Sequence, residues 1–245
     1  MTPLVLLHAF PFDAALFAPQ RAGLPDLTIL TPNLIGFGDQ PAKRPVSMAD
    51  QADHIVAILD KHGIEKAIIG GVSMGGYVSL ALLNQHPNRV AGLILADTRA
   101  DGDDETAKAN RAKAIATVET DGVAALVDLQ LPRLLGESTR TSSPDVVQTV
   151  REIAVRQSSS GVVAAIEMLR DRPDWTATLP RIHVPTLIIV GEDDVVTPPK
   201  LSQAMRAAIP GSTLVTIPQA GHLANIEQLA AFNAAVRAFA DTLRK

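Results

Sequence analysis

Ser73 stands between two glycines, in Gly71-Val72-Ser73-Met74-Gly75, and this spacing could support nucleophilic catalysis. A serine attacks a carbonyl carbon when its Oγ is exposed and a base removes its proton. Glycines at both flanking positions allow a strand to turn sharply into a helix, because a Cβ there would crowd the neighbouring elements. We therefore predict that Ser73 is a nucleophile. The alternative is a serine that only fills a glycine-rich turn.

A nucleophilic serine needs a base, and the chain has six histidines. His222 lies in a loop that follows the last predicted strand, and active sites of open α/β sheets lie outside the carboxyl ends of the strands. The other histidines are expected in helices, at helix ends, at the opposite sheet edge, or in a structural role in the first loop: His54, His62, His86, His183 and His8. We predict that His222 is the base.

The base needs a carboxylate that fixes its tautomer and stabilises the imidazolium. Asp194 lies in the acidic loop 191–198, and the chain order Ser73, Asp194, His222 is nucleophile, acid, base. Asp97 is the rival, since it ends another predicted strand at the same sheet edge. We predict Asp194 as the acid, and Asp97 then anchors the neighbouring helical segment.

Two backbone N–H groups are expected to hold the oxyanion that forms when Ser73 attacks. Phe10 follows the first strand, where such donors are placed, and Met74 follows the nucleophile. Met74 also opens a predicted helix, whose N-terminus carries free N–H groups and a partial positive charge.

The elements that must position these residues are short apolar runs alternating with helical patterns. Continuous apolar strands of this kind indicate a mostly parallel sheet that is covered on both faces. Predicted strands cover residues 4–7, 27–30, 67–69, 90–96, 186–190 and 213–217, and predicted helices begin after Ser47 and cover 74–86, 200–209 and 225–243.

Residues 101–180 break the alternation, because they contain no convincing strand and are typical of about four helices. Breaks are expected near Gly122, Gly136, 142–144 and 158–161. We predict an α/β core formed by 1–100 and 181–245, with 101–180 inserted as a helical lid.

Composition excludes several classes of function. The chain has 245 residues, a net charge of −4 and no cysteine, so disulfides, thiol catalysis and Cys-ligated metal sites are excluded. The chain lacks the basic surplus expected of a nucleic-acid binder, and no run approaches the length of a membrane span. The first residues lack the basic n-region and the long apolar run of a signal peptide. We expect a cytoplasmic protein without a metal or an organic cofactor; its oligomeric state is open.

Four segments resemble those of the α/β-hydrolases. "LLHAFPFD" resembles the oxyanion loop, with Ala9 in place of the usual glycine, and "GVSMGG" resembles the nucleophile elbow. "GEDDVVTP" resembles the acid loop, and "AGHLANIEQ" resembles the histidine loop. The resemblance covers essentially the whole chain and implies the α/β-hydrolase fold, here with six strands and without the usual N-terminal hairpin. It also implies Asp194, not Asp193, as the acid. The last two segments and "SMGG" look most like the 3-oxoadipate enol-lactonase-like and cofactor-free haloperoxidase/esterase branch.

That branch implies a serine hydrolase that acts on a small carboxylic ester or lactone through an acyl-enzyme on Ser73. Trp175 and Leu223 are expected to line the substrate pocket, with Trp175 as a lid-core residue the alternative. Two other functions stay open. One is cofactor-free perhydrolase or haloperoxidase activity of the same triad, and the other is a weakly catalytic ligand-binding protein.

Overall fold

Six parallel strands form the centre of the fold in a computed structural model that describes residues 2–243. Their spatial order is β2-β1-β3-β4-β5-β6, and all neighbours pair in parallel. The predicted six-stranded parallel sheet without an antiparallel hairpin is therefore confirmed within the described residues. The strands are β1 (Leu4–Leu7), β2 (Ile29–Leu30), β3 (Ala67–Val72), β4 (Val90–Ala96), β5 (Thr186–Gly191) and β6 (Thr213–Ile217).

Helices cover both faces of this sheet. They are α1 (Ala18–Gly23), α2 (Met48–Lys61), α3 (Met74–Gln85), α4 (Glu105–Leu134), α5 (Glu137–Ser142), α6 (Pro144–Val155), α7 (Ser159–Arg170), α8 (Pro199–Ala208), α9 (Ala224–Glu227) and α10 (Leu229–Thr242). Alternate side chains of β4 show the two faces, because Ile94 joins one hydrophobic cluster whereas Leu93 and Leu95 join another. Within residues 2–243, no helix combines the length and the apolar character that crossing a bilayer requires.

The structure corrects three predicted elements. A 3₁₀ segment (Ala14–Phe17) and α1 connect β1 to β2, where no helix was predicted, because both are too short to show helical periodicity. Parallel neighbours nevertheless need such a crossover. The second strand is only two residues long, and the predicted closing helix is interrupted at Gln228, whose φ of −129° and ψ of 62° are not helical.

A helical segment of four helices, α4 to α7, connects β4 to β5. Gly122 divides α4 into two arms, since its φ of 86° and ψ of 174° are not helical. The segment contacts the core closely at α7, where a Cβ on Gly161 would lie 1.9 Å from the carbonyl oxygen of Gly36. An ion pair between Arg156 and Asp13, at 2.7 Å, also joins α6 to the loop after β1.

Candidate active site

Ser73 occupies a sharp turn between β3 and α3. Its φ of 52° lies in the left-handed region, which a residue with a side chain adopts only when the surroundings hold it there. Both flanking glycines are needed for this turn. A Cβ on Gly71 would lie 2.0 Å from the carbonyl carbon of Gly75, and one on Gly75 would lie 2.0 Å from the carbonyl oxygen of Leu7.

Hydrogen bonds with β4 and with Thr98, two residues beyond its end, hold the Ser73 backbone in this conformation. The Ser73 N–H donates to the carbonyl oxygen of Ala96 at 2.9 Å, and Thr98 Oγ1 donates to the carbonyl oxygen of Ser73 at 2.8 Å. Gly76 leaves the space that Thr98 occupies, because a Cβ there would lie 2.6 Å from its Oγ1. The turn is thus held by residues that are distant in sequence from the motif itself.

His222 and Asp194 form a buried pair at the carboxyl edge of the sheet. His222 Nδ1 lies 2.8 Å from Asp194 Oδ2, and both side chains are almost fully buried. Thr197 Oγ1 donates to the same carboxylate oxygen at 2.6 Å and lies 3.2 Å from His222 Nδ1. With Nδ1 facing the carboxylate, the Nε2 atom of the ring is left for other chemistry.

The acid loop holds Asp194 as an ionised carboxylate. Asp194 Oδ1 accepts hydrogen bonds from the backbone N–H groups of Val196 and Thr197, at 2.7 and 2.9 Å. Burial opposes ionisation, but the facing His222 and the hydrogen bonds from Thr197 outweigh it and hold the pKa of Asp194 below its ordinary value. The carboxylate can therefore keep its charge beside the imidazole at neutral pH.

Asp97 lies at the same sheet edge, but it contacts neither the imidazole of His222 nor the helical segment by a hydrogen bond. Its Oδ1 accepts from the N–H of Gly191 at 2.8 Å, and its Oδ2 accepts from the N–H of Ala224 at 3.1 Å. Asp97 thus joins the start of the acid loop to the histidine loop, and the expectation that it anchors the helical segment is wrong. Burial, followed by the charge of Asp194, raises the pKa of Asp97 well above its ordinary value.

A cavity of about 290 Å³ brings the predicted site residues together. Ser73, His222 and Phe10 all line it, and Met74 is the buried first residue of α3 directly behind Ser73. Because Met74 opens its helix, its N–H has no carbonyl partner four residues earlier in the helix. The remaining wall comes from the sheet edge, from α4, and from Tyr77 on α3, Leu169 on α7 and Arg172 just after α7. Within residues 2–243, no three His, Cys, Asp or Glu side chains are placed to hold a metal ion.

The two predicted pocket residues lie elsewhere. Trp175 follows α7, donates its backbone N–H to the carbonyl oxygen of Ala100, and lines a separate groove beside α2 and α3. Leu223 is fully buried in the main hydrophobic cluster and does not line the cavity. Neither residue lines the cavity as expected, and Trp175 packs against both hydrophobic clusters, which agrees with its alternative role as a lid-core residue. A place in the predicted lid or beside His222 does not determine which way a side chain faces after the chain has folded.

His8 has the structural role that the sequence predicts. It is fully buried, its Nε2 accepts the N–H of Leu34 at 3.0 Å, and its ring lies edge-on to Phe37 at 5.2 Å. Burial lowers the pKa of His8 from 6.5 to about 4, although the contact with the carbonyl oxygen of Ala9 opposes this. The neutral imidazole therefore supports the loop that carries Phe10.

This pKa predicts a loss of stability in acid. The unfolded chain takes up a proton at this histidine below pH 6.5, whereas the folded state resists it until about pH 4. The free energy of unfolding is therefore highest above pH 6.5, and it falls by about 3 kcal/mol as the pH drops toward 4. Urea unfolding at several pH values measures it. His8→Gln is expected to flatten this dependence, and His62→Gln, at an exposed position, is the control. An equal slope in His8→Gln and the wild type would contradict the prediction.

A family model described as alpha/beta hydrolase fold matches residues 2–229. The chain belongs to this family. The α/β-hydrolase is 29% identical over 246 residues to a pimeloyl-[acyl-carrier protein] methyl ester esterase of Neisseria meningitidis serogroup B, covering 96% of this chain and 92% of that protein. It is 31% identical over 184 residues to 3-oxoadipate enol-lactonase 2 of Acinetobacter baylyi, and the match covers 75% of this chain and 67% of that protein.

A solved structure agrees with the family assignment. A thermophilic esterase from Thermogutta terrifontis, solved with malate bound, is 36% identical to this α/β-hydrolase. The TM-score is 0.97, and the match covers 100% of this chain and 91% of that chain. The arrangement of sheet, elbow and helical segment is therefore shared with an enzyme of known structure.

The α/β-hydrolase also contains a site residue that the sequence did not predict, Glu227. Glu227 Oε1 accepts the N–H groups of Gly221 and Leu223, at 2.8 and 3.2 Å, on either side of His222. Its Oε2 accepts the N–H of Gly136, which follows α4, at 2.7 Å. Burial raises the pKa of Glu227, against the hydrogen bonds that favour its charged form. One carboxylate thus joins the histidine loop to the helical segment. The only sequence feature that pointed to Glu227 is its position five residues after His222.

We expect Glu227→Gln to lower turnover about tenfold and the free energy of unfolding by about 1–3 kcal/mol. An amide offers one acceptor oxygen, so either Gly136 or the histidine loop loses its partner. Faster amide hydrogen exchange at Gly136 or Gly221 would report the same loss. Glu137→Gln, an exposed neighbour on α5, is the matched control. Equal behaviour of the two variants would show that Glu227 does not position the loop.

Proposed function

We propose that this α/β-hydrolase is a serine hydrolase of a small carboxylic ester or lactone, acting through an acyl-enzyme on Ser73. The coarser statement, that the chain is an enzyme acting on ester bonds, follows from the family and from relatives that are named esterases and a lactonase. The roles of individual residues, the lid and the substrate are the proposal.

One observation carries the proposal. Ser73 stands on a strained elbow and lines the same cavity as His222, whose other ring nitrogen faces the buried Asp194. A strained backbone that the surroundings maintain is typical of functional sites. A buried carboxylate behind an imidazole orients the ring and stabilises the positive charge that it acquires when it accepts a proton.

The reaction then takes two steps on these groups. Ser73 Oγ attacks the carbonyl carbon while His222 Nε2 takes its proton, and the N–H groups of Phe10 and Met74 hold the oxyanion. His222 returns the proton to the departing alcohol, which leaves an acyl group on Ser73. In the second step His222 removes a proton from water while the water oxygen attacks the acyl carbon. The bond between that carbon and Ser73 Oγ then breaks, His222 returns the proton to Ser73 Oγ, and the acid is released.

The helical segment 101–180 acts as a lid in this proposal, on a core of 1–100 and 181–245. Ala107, Asn110, Arg111 and Ala114 on the first arm of α4 line the cavity, and so do Gln130, Arg133 and Leu134 on the second arm. The segment therefore supplies much of the cavity wall. A covering of this kind excludes water and shapes the space for the substrate. We expect its sequence to set which acyl and alcohol groups are accepted.

An organophosphonate ester tests the proposal directly. It is expected to label the protein once, at Ser73, and to abolish hydrolysis of a panel of short acyl esters and lactones in proportion to labelling. Peptide mapping by mass spectrometry identifies the labelled residue. Stoichiometric labelling of another serine, or full activity after labelling of Ser73, would overturn the acyl-enzyme.

A further inference from the structure

The cavity beside Ser73 carries an excess of positive charge. Four arginines line it, Arg99, Arg111, Arg133 and Arg172, whereas Asp103 is the one carboxylate in its lining. Asp101 pairs with Arg99 from outside the lining. Two carboxylates therefore face four guanidinium groups, which leaves two positive charges uncompensated. The Asp194 carboxylate does not enter this balance, because it lies behind His222 and does not line the cavity.

Two of these arginines are already committed to the fold. Arg172 is 1% exposed, pairs with Asp103, donates to the carbonyl oxygens of Leu169 and Asp101, and lies 4.5 Å from the centre of the Tyr77 ring. Arg99 forms a two-pronged pair with Asp101. Their guanidinium groups hold the cavity wall together and leave few donors for a ligand.

The other two arginines retain donors. Arg111 uses its Nε on Asp103, at 2.9 Å, so the other two guanidinium nitrogens stay available for a ligand. Arg133 is exposed and makes no hydrogen bond or ion pair through its side chain within residues 2–243. The two side chains come from the two arms of α4, and the break at Gly122 lets both arms line one cavity.

The geometry points to a carboxylate subsite formed by Arg111 and Arg133, so that the substrate is an ester that carries a free carboxylate besides its reacting carbonyl. This inference rests on the proposed function of Ser73. The planar guanidinium fork matches a carboxylate with two parallel hydrogen bonds. The volume of about 290 Å³ suits a short molecule. Apolar side chains of Phe10, Leu134 and Val196 line part of the wall and suit a short carbon chain.

Two pairs of esters, each differing in charge but nearly equal in shape, test the subsite. Monomethyl succinate is compared with methyl 4-oxopentanoate, for a carboxylate on the acyl side. Acetoxyacetic acid is compared with acetoxyacetone, for a carboxylate on the alcohol side. In at least one pair we expect kcat/KM for the carboxylate ester to exceed that of its neutral counterpart by about tenfold or more.

Arg133→Gln is expected to lower this ratio by about three- to tenfold, and Arg111→Gln similarly, because each removes one charged donor set. The ratio cancels any general loss of activity in a variant. Arg140→Gln is the matched control, since Arg140 is exposed on α5 and does not line the cavity; its ratio is expected to equal that of the wild type.

The outcomes separate the two proposals. The carboxylate subsite alone is overturned if hydrolysis depends on Ser73 but the kcat/KM ratio is near one in both pairs. It is also overturned alone if hydrolysis depends on Ser73 and neither arginine variant changes the ratio. A lower ratio in Arg140→Gln, as large as that in Arg133→Gln, also overturns it, because general surface charge then explains the preference. No hydrolysis of any of the four esters, together with no labelling of Ser73, overturns both.

Discussion

Replacing Ser73 by alanine is expected to lower ester turnover by about 10⁵–10⁶-fold, because the acyl-enzyme cannot form without the nucleophile. The residual rate comes from binding and from the oxyanion donors. The measurement is kcat on a short acyl ester, together with labelling by an organophosphonate. Perhydrolysis, if hydrogen peroxide replaces water on the same acyl-enzyme, is expected to disappear to the same extent.

The fold is expected to survive this change. Ser73 is held by its backbone, through Ala96 and Thr98, and its side chain makes no hydrogen bond within residues 2–243. Alanine at φ 52° keeps a Cβ of the same kind, so circular dichroism and the unfolding midpoint are expected to stay close to those of the wild type. Ser160→Ala, at an exposed position of α7, is the control. Substantial turnover by folded Ser73→Ala would remove the serine from the mechanism.

Replacing Asp194 by asparagine is expected to lower turnover by about 10³–10⁴-fold. The 2.8 Å contact with His222 Nδ1 would then be made by an amide, which favours the wrong tautomer and cannot stabilise the imidazolium. Thr197 and Val196 can still donate to the remaining oxygen, so the acid loop is expected to keep its shape. The measurement is kcat with a fixed ester, on protein whose unfolding midpoint has been checked.

Asp97→Asn is the matched comparison, because it makes the same chemical change at the same sheet edge. Asp97 accepts from Gly191 and Ala224 through both oxygens, so an amide leaves one buried N–H without a partner. We expect a loss of about 1–3 kcal/mol in stability and less than about tenfold in turnover. If the severities of the two variants are reversed, Asp97 and not Asp194 acts on His222.

Much of the site could be predicted from sequence, because its chemistry depends on residue types at fixed places on strands. The run Ala67–Val72 followed by Ser73 between glycines indicates a strand, a turn and a helix, since few other residues fit that turn. Loops that follow parallel strands meet at one edge, so the sequence alone predicts His222 and Asp194 as neighbours. Both Asp194 and Asp97 follow strands at that edge. The chain order and the family resemblance predicted Asp194 over Asp97, and the structure places Asp194 against His222 Nδ1.

Local sequence thus determined the parallel six-stranded sheet and the turn at Ser73, since both depend on apolar periodicity and on glycine at particular positions. Tertiary structure alone decided which other side chains complete the cavity wall around Ser73 and His222. Trp175 was expected there and lies in another groove, whereas Arg133 was not expected and lines it. Glu227 joins segments 91 residues apart in the chain. Contacts of this kind depend on how the helices dock after they form, and no pattern within a few neighbouring residues records that docking.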